Sequence, residues 1–507
     1  MATSQRVIKN TLYLYARMAV SIIVNIFTTR ILLQALGASD YGLYNVVGGA
    51  ISILGFLTAS MSSSTQRFIS YAEGGGNFEG VKEVFNNALA AHYGVALISG
   101  FILALSGGLF FNGILNIPDN RETVAIIIYS CMIISTVFSI TVVPYDALLN
   151  AHENMKFYSI VGIMDVFLKL IIAGLVFFTH TDKLMLYGIL MAVESWLVRF
   201  ITQKYCQRHY SESQNVAIRT YLKREKLIEM FSFAGWNMAN IASGVISLYG
   251  MSIVVNHFFG TTLNAALGIA TQLSGVLMGV SMNMVKAITP VLAKKEGGHH
   301  REHTIEITYI GCKFSFLLFA FFCIPTLFFM DRILVIWLHD VPGWTSLFCR
   351  ILICSSLIEQ LFLLLYQTII AHGEIKRYNI IRSFFNILPI LLSIIMLKCN
   401  KYFPPTIVLI NWLVFYSFFG GLINLYYAKI NVGLSIKTFF HRVISVGIKI
   451  TVAACILNYV LFILQTSLSI EPLVLYLLSI IISLPLYWKI CLTIHERSIL
   501  LNFIKRR

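Results

Sequence analysis

Charge is what this sequence has least of. Aspartate, glutamate, lysine and arginine together make up 12% of 507 residues, while 57% are hydrophobic. A soluble domain carries about 25% charged residues. A chain of this length could not cover itself with so few, so lipid is the expected solvent. Runs of about ten alternating apolar and polar residues are missing as well, which excludes an outer-membrane barrel. The nine cysteines (Cys131, Cys206, Cys312, Cys323, Cys349, Cys354, Cys399, Cys455 and Cys491) are scattered, with no CxxC pair. They read as small buried apolar residues rather than a disulfide or zinc framework. There is no P-loop, no GxGxxG after a strand and no GxSxG elbow. No cleavable leader is expected, because MATSQRVIKN runs straight into a full-length apolar span.

What is present is a series of apolar runs long enough to cross a bilayer, which takes roughly 17–25 residues as a helix. The fold class that follows is an all-α polytopic membrane protein with about fourteen transmembrane helices. The spans are expected at 10–36, 43–65, 85–111, 122–145, 158–179, 185–203, 230–256, 264–286, 308–330, 347–370, 380–397, 406–428, 440–465 and 472–492. An even number places both termini on one side. If that side is the cytoplasm, its segments hold 22 Lys and Arg and the outer segments five, namely Arg121, Lys183, Arg332, Lys398 and Lys401. That asymmetry is the positive-inside pattern. It also accounts for the net charge of +15: the excess lies in short loops beside spans, so no nucleic-acid partner is expected.

A shift of 223 residues lays the second half over the first. Leu36-Gly37 falls on Phe259-Gly260, and Ala72-Glu73-Gly74-Gly75 on Lys295-Glu296-Gly297-Gly298. Two six-span halves of equal orientation make a parallel repeat, the plan of transporters with two lobes. The expected organisation is a first lobe at 1–203, a basic cytoplasmic linker at 204–229, a second lobe at 230–428, and an added helix pair with a cytoplasmic tail at 429–507.

A charge at the bilayer centre costs about 2.5–3.5 kcal/mol on insertion scales, so it faces a cavity or a partner. Arg17, Ser21, Asn25 and Thr28 of span one fall within about 80° of one another at 100° per residue, one polar stripe. Arg30 lies on another face, where it lines a path or snorkels to the headgroups. Span seven carries Trp236, Asn240, Ser243, Ser247 and Gly250 at helical spacing, suited to cavity lining or to close helix packing. Asn240 falls on Arg17 under the 223 shift. Asp165 and Lys169 are i,i+4 on span five, either a self-satisfied pair or a lysine on an aqueous path tuned by its neighbour. In span six Arg199 is close enough to the cytoplasm to snorkel, whereas Glu194 is not obviously so. Glu359 in span ten has no opposite charge within one turn, so it must be neutral or paired with another helix. Asp165, Glu194 and Glu359 are thus the candidate coupling carboxylates, and Arg17, Asn25, Arg30, Lys169 and Asn240 the candidate cavity residues. Lys286 and Lys313 lie near cytoplasmic span ends and are expected to snorkel. His299-His300-Arg301-Glu302-His303 matches an inverted zinc-protease pattern, but it follows Gly297-Gly298 in a charged connection and is read as a solvated loop. No metal site and no catalytic residue is expected.

Asn10-Thr-Leu-Tyr-Leu-Tyr-Ala-Arg17, followed by Thr29-Arg30-Ile-Leu-Leu-Gln-Ala-Leu-Gly-Ala-Ser-Asp-Tyr-Gly-Leu-Tyr44, resembles the opening of the polysaccharide-transport family. These are the O-antigen and capsule repeat-unit flippases of the multidrug/oligosaccharidyl-lipid/polysaccharide exporter superfamily. Gly37, Asp40, Tyr41, Gly42 and Tyr44 carry most of the likeness, which in sequence covers the first sixth of the chain and in layout nearly all of it. The resemblance implies a bacterial inner-membrane flippase that moves undecaprenyl-pyrophosphate-linked oligosaccharides by alternating access around a cationic cavity. It implies membrane lipids and other polysaccharide-assembly proteins as partners. Arg17 also matches an arginine early in span one of the related lipid II flippases. Pyrophosphate needs basic partners in a low-dielectric site, which Arg17, Lys169 and Arg30 can supply. No cofactor is expected beyond a coupling proton or sodium ion. A cation-coupled multidrug or metabolite antiporter of the same superfamily would lean instead on the carboxylates. A membrane polysaccharide polymerase or ligase would need a long polar outer loop, and the longest, 331–346, offers only Asp331, Arg332 and Asp340. An enzyme is therefore not expected.

Overall fold

A computed structural model describes residues 2–52, 55–109, 111, 121–214, 216–338, 340–400, 402–468, 471–493 and 496–497. Among them the architecture is all-helical, and thirteen helices are long and apolar enough to cross a membrane. The long helices are α1 (Ala2–Ser52), α2 (Gly55–Gly74), α3 (Phe78–Leu109), α4 (Glu122–Ala151), α5 (Met155–Phe178) and α6 (Lys183–His209). They continue as α7 (Arg224–Phe259), α8 (Thr261–Gly297), α9 (Arg301–Phe328), α10 (Thr345–His372), α11 (Lys376–Cys399), α12 (Thr406–Val432), α13 (Ile436–Leu464) and α14 (Pro472–Ile490). The second expected span, 43–65, crosses residues 53 and 54, which lie outside the described residues. Helix is present on both sides of that gap. Several helices overrun the expected spans: α3 starts at Phe78 and α8 runs to Gly297. Hydropathy marks where lipid begins, whereas helical hydrogen bonding continues into water on polar turns. The Lys82–Glu79 i,i+3 pair at 2.9 Å is one such turn.

By their contacts the residues divide into two compact units, 9–238 and 239–507 with 1–8. The boundary falls inside α7, not in the polar stretch before it. The two halves repeat in register. Gly37 (φ 75°, ψ 169°) interrupts α1, and 223 residues on Gly260 (φ 86°, ψ 179°) separates α7 from α8. This region of backbone space is essentially open to glycine alone. At the same spacing, α2 and α8 end at Gly74 and Gly297, and α3 and α9 begin at Phe78 and Arg301. Likewise α4 and α10 begin at Glu122 and Thr345, α6 and α12 at Lys183 and Thr406, and α6 and α12 end at His209 and Val432. Left-handed residues follow the glycine pairs in both halves, Gly76 (φ 69°) and His299 (φ 57°).

The first unit is tied at both ends. On one, Arg121 before α4 donates Nε to Asp40 Oδ1 at 3.0 Å and bridges to Asp182, which itself caps α6 by accepting from Met185 N at 3.0 Å. Partial burial raises the Asp182 carboxyl, but the Met185 N–H and the Arg121 guanidinium outweigh it and hold the pKa below the usual value. Asp40, prominent in the sequence likeness, is here a structural anchor. On the other end, the polar stretch after α6 is strapped down. Asn86 Oδ1 accepts from Ala217 N (3.0 Å), and Asn87 accepts from Lys223 N (3.0 Å) while donating to the Tyr221 carbonyl (2.8 Å). His152 just past α4 meets Glu73 (3.4 Å) and Glu212 (2.5 Å) and stacks on Tyr210 at 4.2 Å. Burial lowers the His152 pKa, yet the two carboxylates more than reverse this and raise it to about 9. The second unit has an equivalent pair: His372 ends α10 and meets Glu296, the residue 223 positions after Glu73, at 2.9 Å.

In the second unit α9 packs against α10, α13 and α14. The added pair shares its core, with Ile450, Ala454 and Cys491 buried among residues of α7 to α12. Asn458 joins α13 to α14 by accepting from Ser479 at 2.7 Å. Lys313 does not snorkel. It is buried, donates to the Cys491 carbonyl at 3.5 Å and pairs with Glu496 beyond α14. The chain past α14 returns a carboxylate to it, a long-range contact with no local signal in the sequence.

Candidate functional site

Each unit carries a polar cluster within its apolar helices. In the first, α1 presents Arg17 to α5. The guanidinium lies over the Tyr158 ring, 4.6 Å from its centroid, and against Gly162. A Cβ at 162 would stand 2.1 Å from Arg17 Nε, so the absent side chain is what makes room. One helical turn further along α5, Lys169 Nζ meets Asp165 Oδ1 at 2.8 Å, closing the i,i+4 pair. Asp165 also faces the Glu194 carboxyl of α6 at hydrogen-bonding reach, and the charge of Arg17 acts on it. Glu194 is buried, with Ser195 Oγ 3.5 Å from its Oε2. Tyr44 and Tyr187 pack edge to face at 5.0 Å beside this group and feel the charge of Glu194, with Lys169 also acting on Tyr44. The cluster thus sets two cations against two carboxyls. Carboxyls this close share a proton or repel.

Asn25 and Arg30 are not brought into it. Both are exposed, and neither makes a side-chain hydrogen bond among the described residues. Asn25 is two turns, about 12 Å, along the helix from Arg17, and Arg30 faces another way. Thr28 returns its hydroxyl to the Val24 carbonyl at 2.8 Å.

In the second unit a cavity of about 530 Å³ presents a mostly apolar surface, with polar groups from Asn240, Glu359, Tyr366, Arg382, Asn386 and Ser417 among its lining. Asn240 Oδ1 accepts from Asn386 Nδ2 at 3.1 Å, and Asn386 Nδ2 is 2.8 Å from Ser243 Oγ. Glu359 Oε1 accepts from Ser417 Oγ at 2.6 Å and sits in the field of Arg382, its opposite charge on another helix. Arg382 donates Nη1 to the Tyr416 carbonyl at 2.8 Å and lies over that ring at 4.8 Å. Tyr416 belongs to a π-helical stretch of α12, Trp412–Phe419, a helix form found often at functional sites.

Arg382 is the residue that sequence reasoning passed over. It sits three positions into an expected span that starts at 380, close behind Lys376 and Arg377, and so reads as one more flanking charge. The repeat offered no pointer either, because the halves take their arginine from different helices. The first half uses α1, while α7 puts Asn240 at the matching place and α11 supplies Arg382. Both arginines stack on tyrosine and both fill space left by a glycine, Gly162 or Gly420. Of the other flagged residues, His299, His300, Glu302 and His303 are exposed at the α8–α9 turn. Asp331, in the 331–346 connection, is paired with Arg350 at 2.8 Å.

No family sequence model matches the chain, and no curated protein matches it in sequence. Solved structures do match in fold. A multidrug resistance MATE family transporter of the MOP superfamily, in its outward-facing conformation, has a TM-score of 0.74 at 12% identity and covers 84% of this chain and 95% of its own. MATE in complex with MaD3S gives a TM-score of 0.72 at 12% identity, covering 84% and 96%. A MOP superfamily transporter from Pyrococcus furiosus Vc1, described as having a binding pocket of reverse polarity that suggests a different function, gives 0.66 at 12%, covering 84% and 95%. The chain therefore has the two-lobed all-helical fold of the MATE transporters of the MOP superfamily.

Proposed function

We propose that the protein is a secondary transporter that moves an amphiphilic solute across the membrane by alternating access, coupled to a cation that exchanges at the Arg17, Asp165, Lys169 and Glu194 cluster. The observation that carries this is the acid–base cluster itself. It places two carboxyls and two cations together among apolar helices, on a fold whose structural neighbours are transporters. Lys169 is neutralised by Asp165, so the cluster is balanced rather than strongly cationic. That favours antiport of the MATE kind over capture of a pyrophosphate. The second unit's cavity suits the same cargo, since a mostly apolar wall with a few convergent polar groups is the usual form of a small-molecule site.

A second reading has its own support. The Asn10–Arg17 and Thr29–Tyr44 stretches resemble flippases of undecaprenyl-pyrophosphate-linked oligosaccharides, and Arg17 and Arg382 are donors of the fork geometry that phosphates accept. The deciding experiment places purified protein in liposomes with an imposed proton or sodium gradient. It offers, in parallel, a fluorescent amphiphilic cation and a fluorescent polyprenyl-pyrophosphate oligosaccharide. Gradient-driven movement of the first alone supports antiport. Movement of the second alone makes the protein a flippase of the inner membrane and overturns the primary reading.

A further inference from the structure

Pocket-lining cations on the linker-side end of α6 have no part in either cluster. There a cavity of about 520 Å³ is lined by Phe157, Phe200, Lys204, Tyr205, Arg208 and His209, with no carboxylate among the described lining residues. We propose that this cavity binds the headgroup of an anionic phospholipid, whose acyl chains run along the same face of α6.

Three observations carry it. The first is a graded stripe. Ile189, Val193, Trp196, Phe200, Lys204 and Arg208 fall within about 120° of one another at 100° per residue. The first four are exposed apolar residues and the last two exposed cations. Val193 to Lys204 is a rise of about 16 Å, close to half the roughly 30 Å hydrocarbon core. Aliphatic, aromatic and basic residues therefore succeed one another at the depths of acyl chain, interface and phosphate. The second is charge. Neither Lys204 nor Arg208 has an ion pair among the described residues, and Lys204 Nζ lies 5.8 Å from the centre of the Phe200 ring, which lines the cavity with it. The third is a rigid floor. The Tyr205 ring is sandwiched between Phe157 (3.4 Å) and His209 (4.0 Å), and its hydroxyl accepts from Asn154 Nδ2 at 2.9 Å. A preformed wall lowers the ordering cost of binding. By the Lys/Arg asymmetry of the sequence this end faces the cytoplasm, where anionic lipids attract basic side chains. The site stands whatever cargo the transporter carries.

The test is native mass spectrometry of the full-length protein released from mixed phosphatidylglycerol and phosphatidylcholine, with inorganic phosphate as a competitor. Retained phosphatidylglycerol is expected in excess over phosphatidylcholine and to resist millimolar phosphate. Lys204→Gln with Arg208→Gln should weaken its retention by about 25-fold, roughly fivefold per charge. The charge-preserving pair Lys204→Arg with Arg208→Lys should retain it. Equal retention of the two lipids, an unchanged Gln/Gln variant, or displacement of the lipid by phosphate alone would each overturn the proposal. If the Gln/Gln variant aggregates, Lys204→Gln alone is read against the same phosphatidylcholine control.

Discussion

Gly162→Ala separates the chemistry of Arg17 from the packing of its helix. The added methyl would stand 2.1 Å from Arg17 Nε and 2.4 Å from Cζ, far inside contact distance, and both atoms belong to a side chain that can swing away. The backbone of α5 is helical there, and alanine is about 1 kcal/mol better than glycine in a helix interior, so the fold should not suffer. The guanidinium must leave Tyr158, giving up a cation–π contact of about 0.5–2 kcal/mol. If that placement serves transport, the rate should fall by about 2- to 30-fold. Thermal unfolding in detergent should stay at or slightly above the wild-type Tm. Combining Gly162→Ala with Arg17→Ala should add nothing to Arg17→Ala alone, because both remove one interaction. The reasoning fails if Gly162→Ala transports normally while Arg17→Ala does not, since the position of the arginine would then be immaterial. It fails equally if Gly162→Ala lowers Tm by many degrees, which would make Gly162 a packing residue.

Three further outcomes are expected. Lys313→Met strands the Glu496 carboxylate in a buried place and should cost about 3–5 kcal/mol, whereas Lys313→Met with Glu496→Leu should recover most of it; unfolding midpoints that show no recovery would contradict the pairing. His152 has its pKa raised to about 9 when docked, against about 6.5 free. Its contribution to holding the Ser211–Gln214 segment is therefore complete below about pH 6.5 and lost as pH rises through 9. Hydrogen exchange of residues 211–223, corrected for its intrinsic pH dependence, should accelerate across that window in the wild type and not in His152→Ala. Gly260→Ala forces a side chain into a glycine-only backbone region and should cost about 1–3 kcal/mol, as should Gly37→Ala. Gly268→Ala, inside a helix with nothing within 4 Å of its Cβ, should instead raise stability by about 1 kcal/mol in the same unfolding assay.

The parts of this fold that a sequence can carry are those set by local chemistry. Apolar runs mark helices because backbone polar groups in lipid must be satisfied within the segment. Gly37 and Gly260 mark the equivalent breaks because no other residue fits them. The 223-residue register found in two short stretches reappears in several helix boundaries of both halves, since the same loops connect the same elements. What escaped depends on distant chain segments. Lys313 finds Glu496 across 183 residues, and nothing near Lys313 foretells it. The polar stretch from Lys204 to Glu229 reads as a tether because it is charged. Its docking rests on His152, which meets Glu212, and on two neighbouring asparagines, Asn86 and Asn87, whose role shows only when the Ala217 and Lys223 N–H groups arrive beside them. Arg382 was hidden by its position near a span end. Asp165 with Lys169 was legible because i,i+4 spacing is a local fact, but the approach of Glu194 from α6 was not.

The central claim is that the Asp165–Glu194 pair couples cargo movement to a cation. The direct measurement is the internal pH of proteoliposomes, followed with a trapped dye while an outward gradient of amphiphilic cation is imposed in sodium-free and sodium-containing buffer. The account predicts a cargo-dependent pH change, or a sodium requirement in its place, that disappears in Asp165→Asn with Glu194→Gln while the variant still folds. Cargo movement of equal rate in wild type and variant, with no ion following it, would contradict the account.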